Sequence, residues 1–264
     1  NQFRIAADSS CNLLTLNGAD FVSVPLTIRT ETEEFRDDAS LDVDAMVSTL
    51  RSTRGRSYSA CPNVADWESA FGESGDVIAF TITSSLSGSY NAACAAGKNC
   101  TERNPARRIH VVDTLSAGPE ITLLLEKALS EQSSGAGFDE VCENLKAYQR
   151  RTHLLFALES MHNLVQTAGQ QAHGNDGGRP WDPRRQASAE GTLEMLGKCR
   201  GGRKTQHFML CEMERLGYGG GSVRIGHCQN EAFAQELCAE IRQRFPAADV
   251  RCDPLRGLCS YYAE

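Results

Sequence analysis

The chain has 264 residues, of which 41% are hydrophobic, and its formal net charge at pH 7 is −7. This length suits one large domain or two smaller ones, and the hydrophobic share is that of an ordinary globular protein. Because phosphate binding needs a basic face, the negative charge argues against a nucleic-acid-binding protein. No apolar run reaches the roughly 20 residues of a membrane-spanning helix, so at most a transient membrane contact is expected.

The eleven cysteines are scattered along the chain without Cys-x-x-Cys pairs. Disulfide scaffolds and zinc sites need paired spacings, so we predict neither, and no metal or cofactor. The first residues, Asn1 to Ile5, enter a strand-like run, which indicates no signal peptide. We therefore expect a cytoplasmic protein with reduced cysteines. Cys61 and Cys259 lie in polar turns, and we expect both to be buried and inert.

The first half of the chain alternates between strand and helix patterns. Short apolar runs predict strands at Phe3 to Ala7, Phe21 to Ile28, Val77 to Ile82 and Ile109 to Val112. Apolar residues at helical spacing predict helices at Leu41 to Leu50, around Trp67 and Phe71, at Ile121 to Leu129 and at Phe138 to Tyr148. Such alternation is typical of an α/β fold with a mainly parallel sheet.

A second α/β unit is predicted to follow, which gives an N-terminal domain of residues 1–150 and a C-terminal domain of residues 151–264. Its strands are predicted at His153 to Leu158, Leu193 to Met195, Ser222 to His227 and Ala248 to Cys252. Its helices are predicted at Phe208 to Leu216 and Glu231 to Phe245. His227, at a strand end, is expected to be a hydrogen-bonded core histidine.

Polar turns directly follow three of the predicted parallel strands, at Asp8-Ser9-Ser10, Ser84-Ser85 and Asp113-Thr114. Ligands of such sheets bind beyond the carboxyl ends of the strands, so these turns are expected to meet at one edge. The loop between strand and helix carries Ser84, Ser85, Ser87 and Ser89. Its hydroxyls and free N–H groups suit an anion such as a carboxylate or phosphate. The alternative is an ordinary serine N-cap.

The two aspartates of these turns, Asp8 and Asp113, have two interpretations. Either carboxylate is able to coordinate a cation or to accept hydrogen bonds from loop amides. We expect the second, structural role for both. A further hydroxyl-rich turn is predicted at Ser57 to Asn63.

Seven short motifs follow one another along nearly the whole chain. They are Asp8-Ser9-Ser10, Val24-Pro25-Leu26, Ser59-Ala60-Cys61-Pro62, Ser84-Ser85-Leu86-Ser87-Gly88-Ser89-Tyr90, Val112-Asp113-Thr114, Glu190-Gly191-Thr192-Leu193 and Lys198-Cys199-Arg200-Gly201. In this order and spacing the series resembles the DegV family of bacterial fatty-acid-binding proteins. Each motif alone is weak, and the loop from Ser84 to Tyr90 is the most specific.

The resemblance implies two α/β domains with a long-chain fatty acid in a tunnel between them. The residues implied to hold its carboxylate are Ser59 and Ser84, with Ser87 and Ser89 nearby. The tail needs a dry apolar tunnel, whose burial is worth about 0.8 kcal/mol per CH₂, and the head needs a few converging donors. The resemblance also implies that the protein is not an enzyme but presents the acid to a separate fatty acid kinase.

The segment from Thr167 to Gln186 departs from the family pattern, because it is polar and glycine-rich. One hypothesis is a local frame change in the gene record. Codon degeneracy allows residues 169–185, read one base later, to encode a family-like Val-Ser-Lys followed by an apolar helix. The alternative is that the segment is real and leaves the tunnel wall incomplete. The mass of a tryptic peptide across it distinguishes the two.

The C-terminal region is a second departure from the family. Many family members end in a His-Val-Gly-Pro-Gly turn near the ligand head group, whereas this chain has Gly257 to Tyr262 there. Ser260 or Tyr261 is a candidate for the missing polar contact.

Two other functions are compatible with the serine-rich loop. A small hydrolase or phosphotransferase is one, although the chain lacks a Gly-x-Ser-x-Gly elbow and a recognisable triad order. A binder of another lipid-like carboxylate is the other.

Overall fold

A computed structural model describes residues 2–53, 55–158 and 201–263 of the chain. The predicted strand at Leu193 to Met195, the segment from Thr167 to Gln186 and the last two motifs of the series lie outside the described residues. In the part of the chain that is described, no helix has both the length and the apolar character needed to cross a membrane.

The described residues form nine strands and eight α-helices, besides a short 3-10 turn at Ser9–Cys11. The strands are β1 (Arg4–Asp8), β2 (Phe21–Val24), β3 (Thr27–Arg29), β4 (Glu34–Arg36), β5 (Tyr58–Ala60), β6 (Val77–Thr81), β7 (Ile109–Asp113), β8 (Gly221–His227) and β9 (Ala248–Pro254). The helices are α1 (Val43–Ser52), α2 (Val64–Phe71), α3 (Ser89–Arg103), α4 (Pro119–Ser133), α5 (Phe138–Gln149), α6 (Gly202–Arg215), α7 (Glu231–Arg244) and α8 (Gly257–Ala263).

A four-stranded parallel sheet in the order β2-β1-β6-β7 forms the centre of the N-terminal half. One face packs with α4 and α5 around Ile5, Phe80 and Leu124. The other packs with α2 and α3 around Trp67 and Ala79. All five residues of β6 are buried, as expected for a strand covered on both faces. The predicted α/β fold with a mainly parallel sheet is confirmed.

A separate antiparallel sheet in the order β4-β3-β5 lies beside the parallel one. The strand predicted from Phe21 to Ile28, with Pro25 indicating an edge or a bend, is divided into β2 and β3, because the chain leaves the first sheet near Pro25 and enters the second. Proline lacks an N–H group and does not continue a strand ladder, so it suits this break. The turn predicted at Ser57 to Asn63 is partly wrong, since Ser59 lies in β5 opposite Ile28. β4 was not predicted.

The C-terminal part contains a parallel pair of strands, β8 and β9. The strands predicted at Ser222 to His227 and Ala248 to Cys252 and the two predicted helices are confirmed, although α6 begins earlier, at Gly202. The strand predicted at His153 to Leu158 is wrong, because residues 152–158 have no regular secondary structure. The expectation for His227 is also wrong for one atom: its buried Nδ1 has no hydrogen-bond partner in the described part of the chain.

Contacts distant in sequence attach the C-terminal part to the first half. Arg224 of β8, whose side chain is 6% exposed, pairs with Glu126 of α4 at 2.7 Å and with Asp249 of β9 at 2.9 Å. Helix α8 packs against α1 and β3 in an apolar cluster that includes Ile28 and Tyr261. A division into two domains near residue 150 stays a prediction.

Candidate binding site at the strand ends

The turns that follow β1, β6 and β7 meet at one edge of the parallel sheet. The backbone N–H of Thr83 donates to the carbonyl of Ser116 at 2.8 Å, and that of Gly118 donates to the carbonyl of Ser10 at 2.9 Å. These bonds connect the three turns directly. The predicted clustering of polar turns is therefore confirmed, and we call residues 83–89 the serine loop.

Asp8 lies beneath the serine loop and is only 1% exposed. Its Oδ2 accepts hydrogen bonds from the backbone N–H of Ile82 at 2.9 Å and from the hydroxyl of Ser89 at 2.6 Å. Its Oδ1 accepts from the backbone N–H and the hydroxyl of Ser10. Burial raises the pKa of Asp8, while the bonds from Ser10 and Ser89 act in the opposite direction. The expected structural role is confirmed.

Asp113 fixes the outer side of the serine loop. Its Oδ1 accepts from the backbone N–H of Ser84 at 3.1 Å and from that of Leu115 at 3.2 Å. Leu115 adopts a φ of 54° and is 38% exposed. The structural role expected for Asp113 is confirmed as well. Among the described residues, no group of three or more His, Cys, Asp or Glu side chains is placed to hold a metal ion.

The three predicted serines of the loop differ in what their hydroxyls do. Ser84 is exposed, and its hydroxyl has no hydrogen-bond partner in the described ranges. The Ser87 hydroxyl accepts from the backbone N–H of Ser89 at 3.2 Å, which leaves its own proton to donate. Ser89 donates its single hydroxyl proton to Asp8. The serine N-cap alternative is wrong, because Gly88 occupies that position and forms no side-chain cap.

The fourth predicted serine, Ser59, reaches the site from β5. Its Oγ lies 3.4 Å from the phenol oxygen of Tyr262. The end of β5 approaches the serine loop closely, since a Cβ added to Gly88 would lie 3.3 Å from Sγ of Cys61. Cys61 is exposed, so the prediction that it is buried is wrong, although partial burial still raises the pKa of its thiol.

Helix α8 forms a wall of the site, in a region that was expected near the head group but was not predicted to be a helix. Asp37, which has no exposed surface, accepts from the backbone N–H groups of Gly257 and Leu258, both at 2.9 Å. Burial raises the pKa of Asp37, and these two bonds act in the opposite direction. The helix begins where this carboxylate binds it. Cys259 is buried on it, as predicted, and burial raises the pKa of its thiol.

The two residues predicted to supply a polar contact from α8 face other groups. The Ser260 hydroxyl donates to the carbonyl of Leu255 at 3.2 Å. The Tyr261 phenol oxygen accepts from the hydroxyl of Ser57 at 3.4 Å. Tyr262 faces Ser59 instead. No local sequence signal indicates this, because the orientation of α8 is set by a carboxylate 220 residues away.

An apolar cluster extends from the hydroxyl groups into the protein. It combines buried side chains of β3, α1, the serine loop and α8 with partly buried ones of residues 156, 158 and 228. Its buried members are Leu26, Ile28, Met46, Val47, Ile82, Leu86, Leu258, Tyr261 and Tyr262. Converging polar donors beside an apolar interior are typical of a site for an amphiphile with a polar head.

Comparisons with known proteins identify proteins that are similar to this chain. A family model described as "Uncharacterised protein, DegV family" matches residues 2–168. A DegV domain-containing protein of Streptococcus pneumoniae strain R6 is 41% identical over 268 residues, which cover 99% of this chain and 95% of that protein.

Two solved structures are similar over almost their whole length. One is the Streptococcus pneumoniae fatty acid kinase B3 protein loaded with linoleic acid, with 39% identity, a TM-score of 0.90, and coverage of 100% of this chain and 96% of that one. The other is a DegV family protein from Eubacterium eligens loaded with heptadecanoic acid, with 37% identity, a TM-score of 0.91, and coverage of 99% and 96%.

Proposed function

The chain belongs to the DegV family, and we propose that it binds one long-chain fatty acid with the carboxylate at the serine loop and the tail in the apolar cluster. The observation that carries this proposal is that the serine loop, the end of β5 and α8 lie together beside that apolar cluster. Similar proteins hold linoleic acid and heptadecanoic acid. The binding that we propose is non-catalytic.

The carboxylate is held by hydroxyls that have a proton to give. Ser84 and Ser87 each retain one, and Ser59 is paired only with the phenol of Tyr262 at 3.4 Å. Hydrogen bonds to an ionised acceptor are about twice as strong as neutral ones. Ser89 has a different role from the one predicted, because its proton is bound to Asp8. We assign it to positioning the serine loop.

The acyl tail gains its binding energy from the apolar cluster. Each buried CH₂ contributes about 0.8 kcal/mol, so a chain of ordinary fatty-acid length outweighs what the head group provides. We place the tail between the first half of the chain and α8, where Ile28, Met46 and Leu258 meet.

The partner we propose is a fatty acid kinase, to which the protein presents the carboxyl group. Support comes from the relative named as a fatty acid kinase B3 protein. Ser84 is exposed at the edge of the site, which suits a group that a second protein must reach. The cytoplasmic location stays a prediction.

A hydrolase that uses the serine loop receives no support from the hydrogen bonds. Ser89 is bonded to Asp8, and in residues 2–53, 55–158 and 201–263 no histidine is bonded to either. A serine nucleophile needs an adjacent base that takes up its proton. Binding of a different lipid-like carboxylate is the alternative that the experiment distinguishes.

The test is organic extraction and mass spectrometry of the purified protein, followed by titration of the emptied protein with heptadecanoic acid. We expect a long-chain fatty acid that is released only on denaturation. Ser84→Ala should weaken binding by about 1.5–3 kcal/mol, because a hydrogen bond to a charged acceptor is lost.

Ser40→Ala is the matched control, because Ser40 is an exposed serine that donates to Asp38 outside the site. Unchanged affinity in Ser84→Ala would remove Ser84 from the site. A protein that contains no fatty acid and binds none would overturn the proposed function, and a different carboxylic acid in the extract would redefine the ligand.

A further inference from the structure

We propose that Tyr262 binds the ligand carboxylate directly, as the hydroxyl donor opposite the serine loop. The proposal rests on the function proposed above and adds a residue that determines head-group specificity. It also assigns to α8 a role beyond closing the apolar cluster.

The geometry around the phenol group is the first argument. The Tyr262 oxygen lies 3.4 Å from Oγ of Ser59, and either atom is able to donate. This separation is long for an O–H···O hydrogen bond, whose usual range ends near about 3.0 Å. Two hydroxyls at this distance are poorly satisfied by each other. Both are able to turn their protons towards one carboxylate oxygen that lies between them.

The surroundings of Tyr262 are the second argument. The side chain is 7% exposed and packs among the apolar residues of β3, α1 and α8. A buried hydroxyl normally has a well-formed hydrogen bond, because leaving it unsatisfied destabilises the protein. Burial also raises the pKa of Tyr262, with a smaller contribution in the same direction from Asp8. The phenol therefore stays protonated and is a donor to an anion at neutral pH.

The neighbouring tyrosine shows that the position of Tyr262 is specific. Tyr261 is fully buried in the same cluster, and the two rings are tilted by 47° with centroids 5.5 Å apart. Its phenol oxygen accepts from Ser57, two residues before Ser59. Each tyrosine thus faces a different serine of the segment around β5. Of the two tyrosines, Tyr262 is the one that faces Ser59, which was predicted to lie at the head-group site.

A carboxylate between these groups has donors on both sides. Ser84 and Ser87 donate from the serine loop, and Ser59 with Tyr262 donates from the wall made by β5 and α8. An ionised carboxylate has about four lone-pair positions, so it is able to accept from all of them. An alcohol of the same length has a single oxygen and no charge. The pair of Ser59 and Tyr262 should therefore select free acids over neutral head groups.

The test compares Tyr262→Phe with Tyr261→Phe, using heptadecanoic acid and 1-heptadecanol as probes. Each variant loses one buried hydroxyl from the same cluster, so the pair is matched. In Tyr262→Phe the affinity for the acid should fall about 10- to 150-fold, whereas that for the alcohol should fall about 2- to 10-fold. The preference for acid over alcohol therefore falls in Tyr262→Phe and stays unchanged in Tyr261→Phe.

A second measurement gives a readout that does not depend on affinity. Heptadecanoic acid labelled with ¹³C at the carboxyl carbon reports its hydrogen bonding through the chemical shift. The bound signal should move in Tyr262→Phe and in Ser59→Ala, but not in Tyr261→Phe.

Each outcome decides the proposal. An equal loss of affinity for the acid and the alcohol, with an unmoved ¹³C signal, would mean that Tyr262 only packs, and it would overturn the inference. Unchanged binding in Tyr262→Phe would do the same while leaving the proposed function intact. Failure of the wild-type protein to bind the acid would instead overturn the proposed function, and the inference with it.

Discussion

The candidate site has two walls, the loop wall formed by the serine loop and the helix wall formed by α8. Each wall is held by a buried aspartate, but the two are built differently. Asp8 holds the serine loop by binding Ile82, which directly follows β6, and Ser89, which begins α3. Asp37 holds α8, whose backbone N–H groups lie 220 and 221 residues further along the chain. The first wall is part of the sheet, whereas the second is docked onto it.

This difference predicts how the protein responds when each wall is disrupted. The loop wall shares the core of the parallel sheet, so disrupting it should lower the stability of the whole protein. The helix wall is a seven-residue helix attached at its first turn, and such a short helix is not stable in isolation. Disrupting its attachment should release α8 while most of the protein stays folded.

The largest effect is expected for Asp8→Ala. The substitution leaves the buried donors of Ile82, Ser10 and Ser89 without their acceptor, and each such group carries a desolvation penalty. We expect the free energy of unfolding in urea to fall by about 3–5 kcal/mol. Asp20→Ala is the control, because Asp20 forms an exposed ion pair with Arg4 and should contribute less than about 1 kcal/mol. A loss in Asp8→Ala as small as in the control would contradict the role of Asp8.

A smaller and more local effect is expected for Asp37→Ala. The N–H groups of Gly257 and Leu258 lose their acceptor, which should destabilise the docked helix by about 2–3 kcal/mol. Hydrogen exchange should accelerate at amides of α8 and not in β6, and bound fatty acid should dissociate faster. Asp38→Ala is the adjacent control, since Asp38 accepts from Ser40 on the surface. Equal acceleration of exchange in β6 and α8 would show that the two walls unfold together.

The other long-range attachment, at Arg224, should contribute less. Arg224→Met keeps an apolar stem but removes the nearer cation from Glu126 and Asp249, which retain longer ion pairs with Arg251 at 3.4 and 3.9 Å. Because both carboxylates are partly exposed and are able to hydrate, we expect a loss of about 1–2 kcal/mol in urea unfolding. A stabilised Arg224→Met would show that desolvation of the guanidinium outweighs its ion pairs.

The smallest effect is a pH dependence that comes from the buried aspartates. Burial raises the pKa of Asp37, so the folded protein binds its proton more tightly than the unfolded chain does. This contribution to stability is fully present below the unfolded pKa of about 3.9 and is lost as pH rises through the folded pKa. Asp37→Asn removes it.

The excess stability of the wild type over Asp37→Asn should therefore shrink as the pH rises above about 4, by about 1.4 kcal/mol per unit of pKa shift. Urea titrations of both proteins at several pH values measure it. An excess that grows with pH would mean that the hydrogen bonds from α8, rather than burial, dominate the pKa of Asp37.

The sequence predicts the loop wall well because its signals are local. An apolar run that is covered on both faces, a serine-rich loop and a small-residue helix are adjacent in the chain, and the structure contains β6, the serine loop and α3 in that order. The topology of parallel sheets then brings the turns after Asp8 and Asp113 to the same edge. The different roles of the serine hydroxyls could not be predicted, because they depend on the position of the Asp8 carboxylate.

The helical structure of the second wall was not predicted, because the contacts that stabilise it come from residues distant in the sequence. Ser59 looks like part of a turn, and only its pairing with β3 makes it a strand residue. Gly257 to Tyr262 has weak helix propensity, and the helix depends on capping by Asp37 and on packing. Periodicity within a short segment carries no information about such contacts, so Tyr262 was not predicted either.

The separation in sequence between Asp37 and α8 also sets the order in which the parts of the site are synthesised. The amide that Asp37 binds is made 220 residues later, which at about 5–20 residues per second is an interval of about 11–44 s. Ser89 follows Asp8 by only 81 residues. A nascent chain therefore acquires its serine loop while Asp37 is still hydrated. Newly made protein becomes able to retain a ligand only after α8 has emerged from the ribosome and docked.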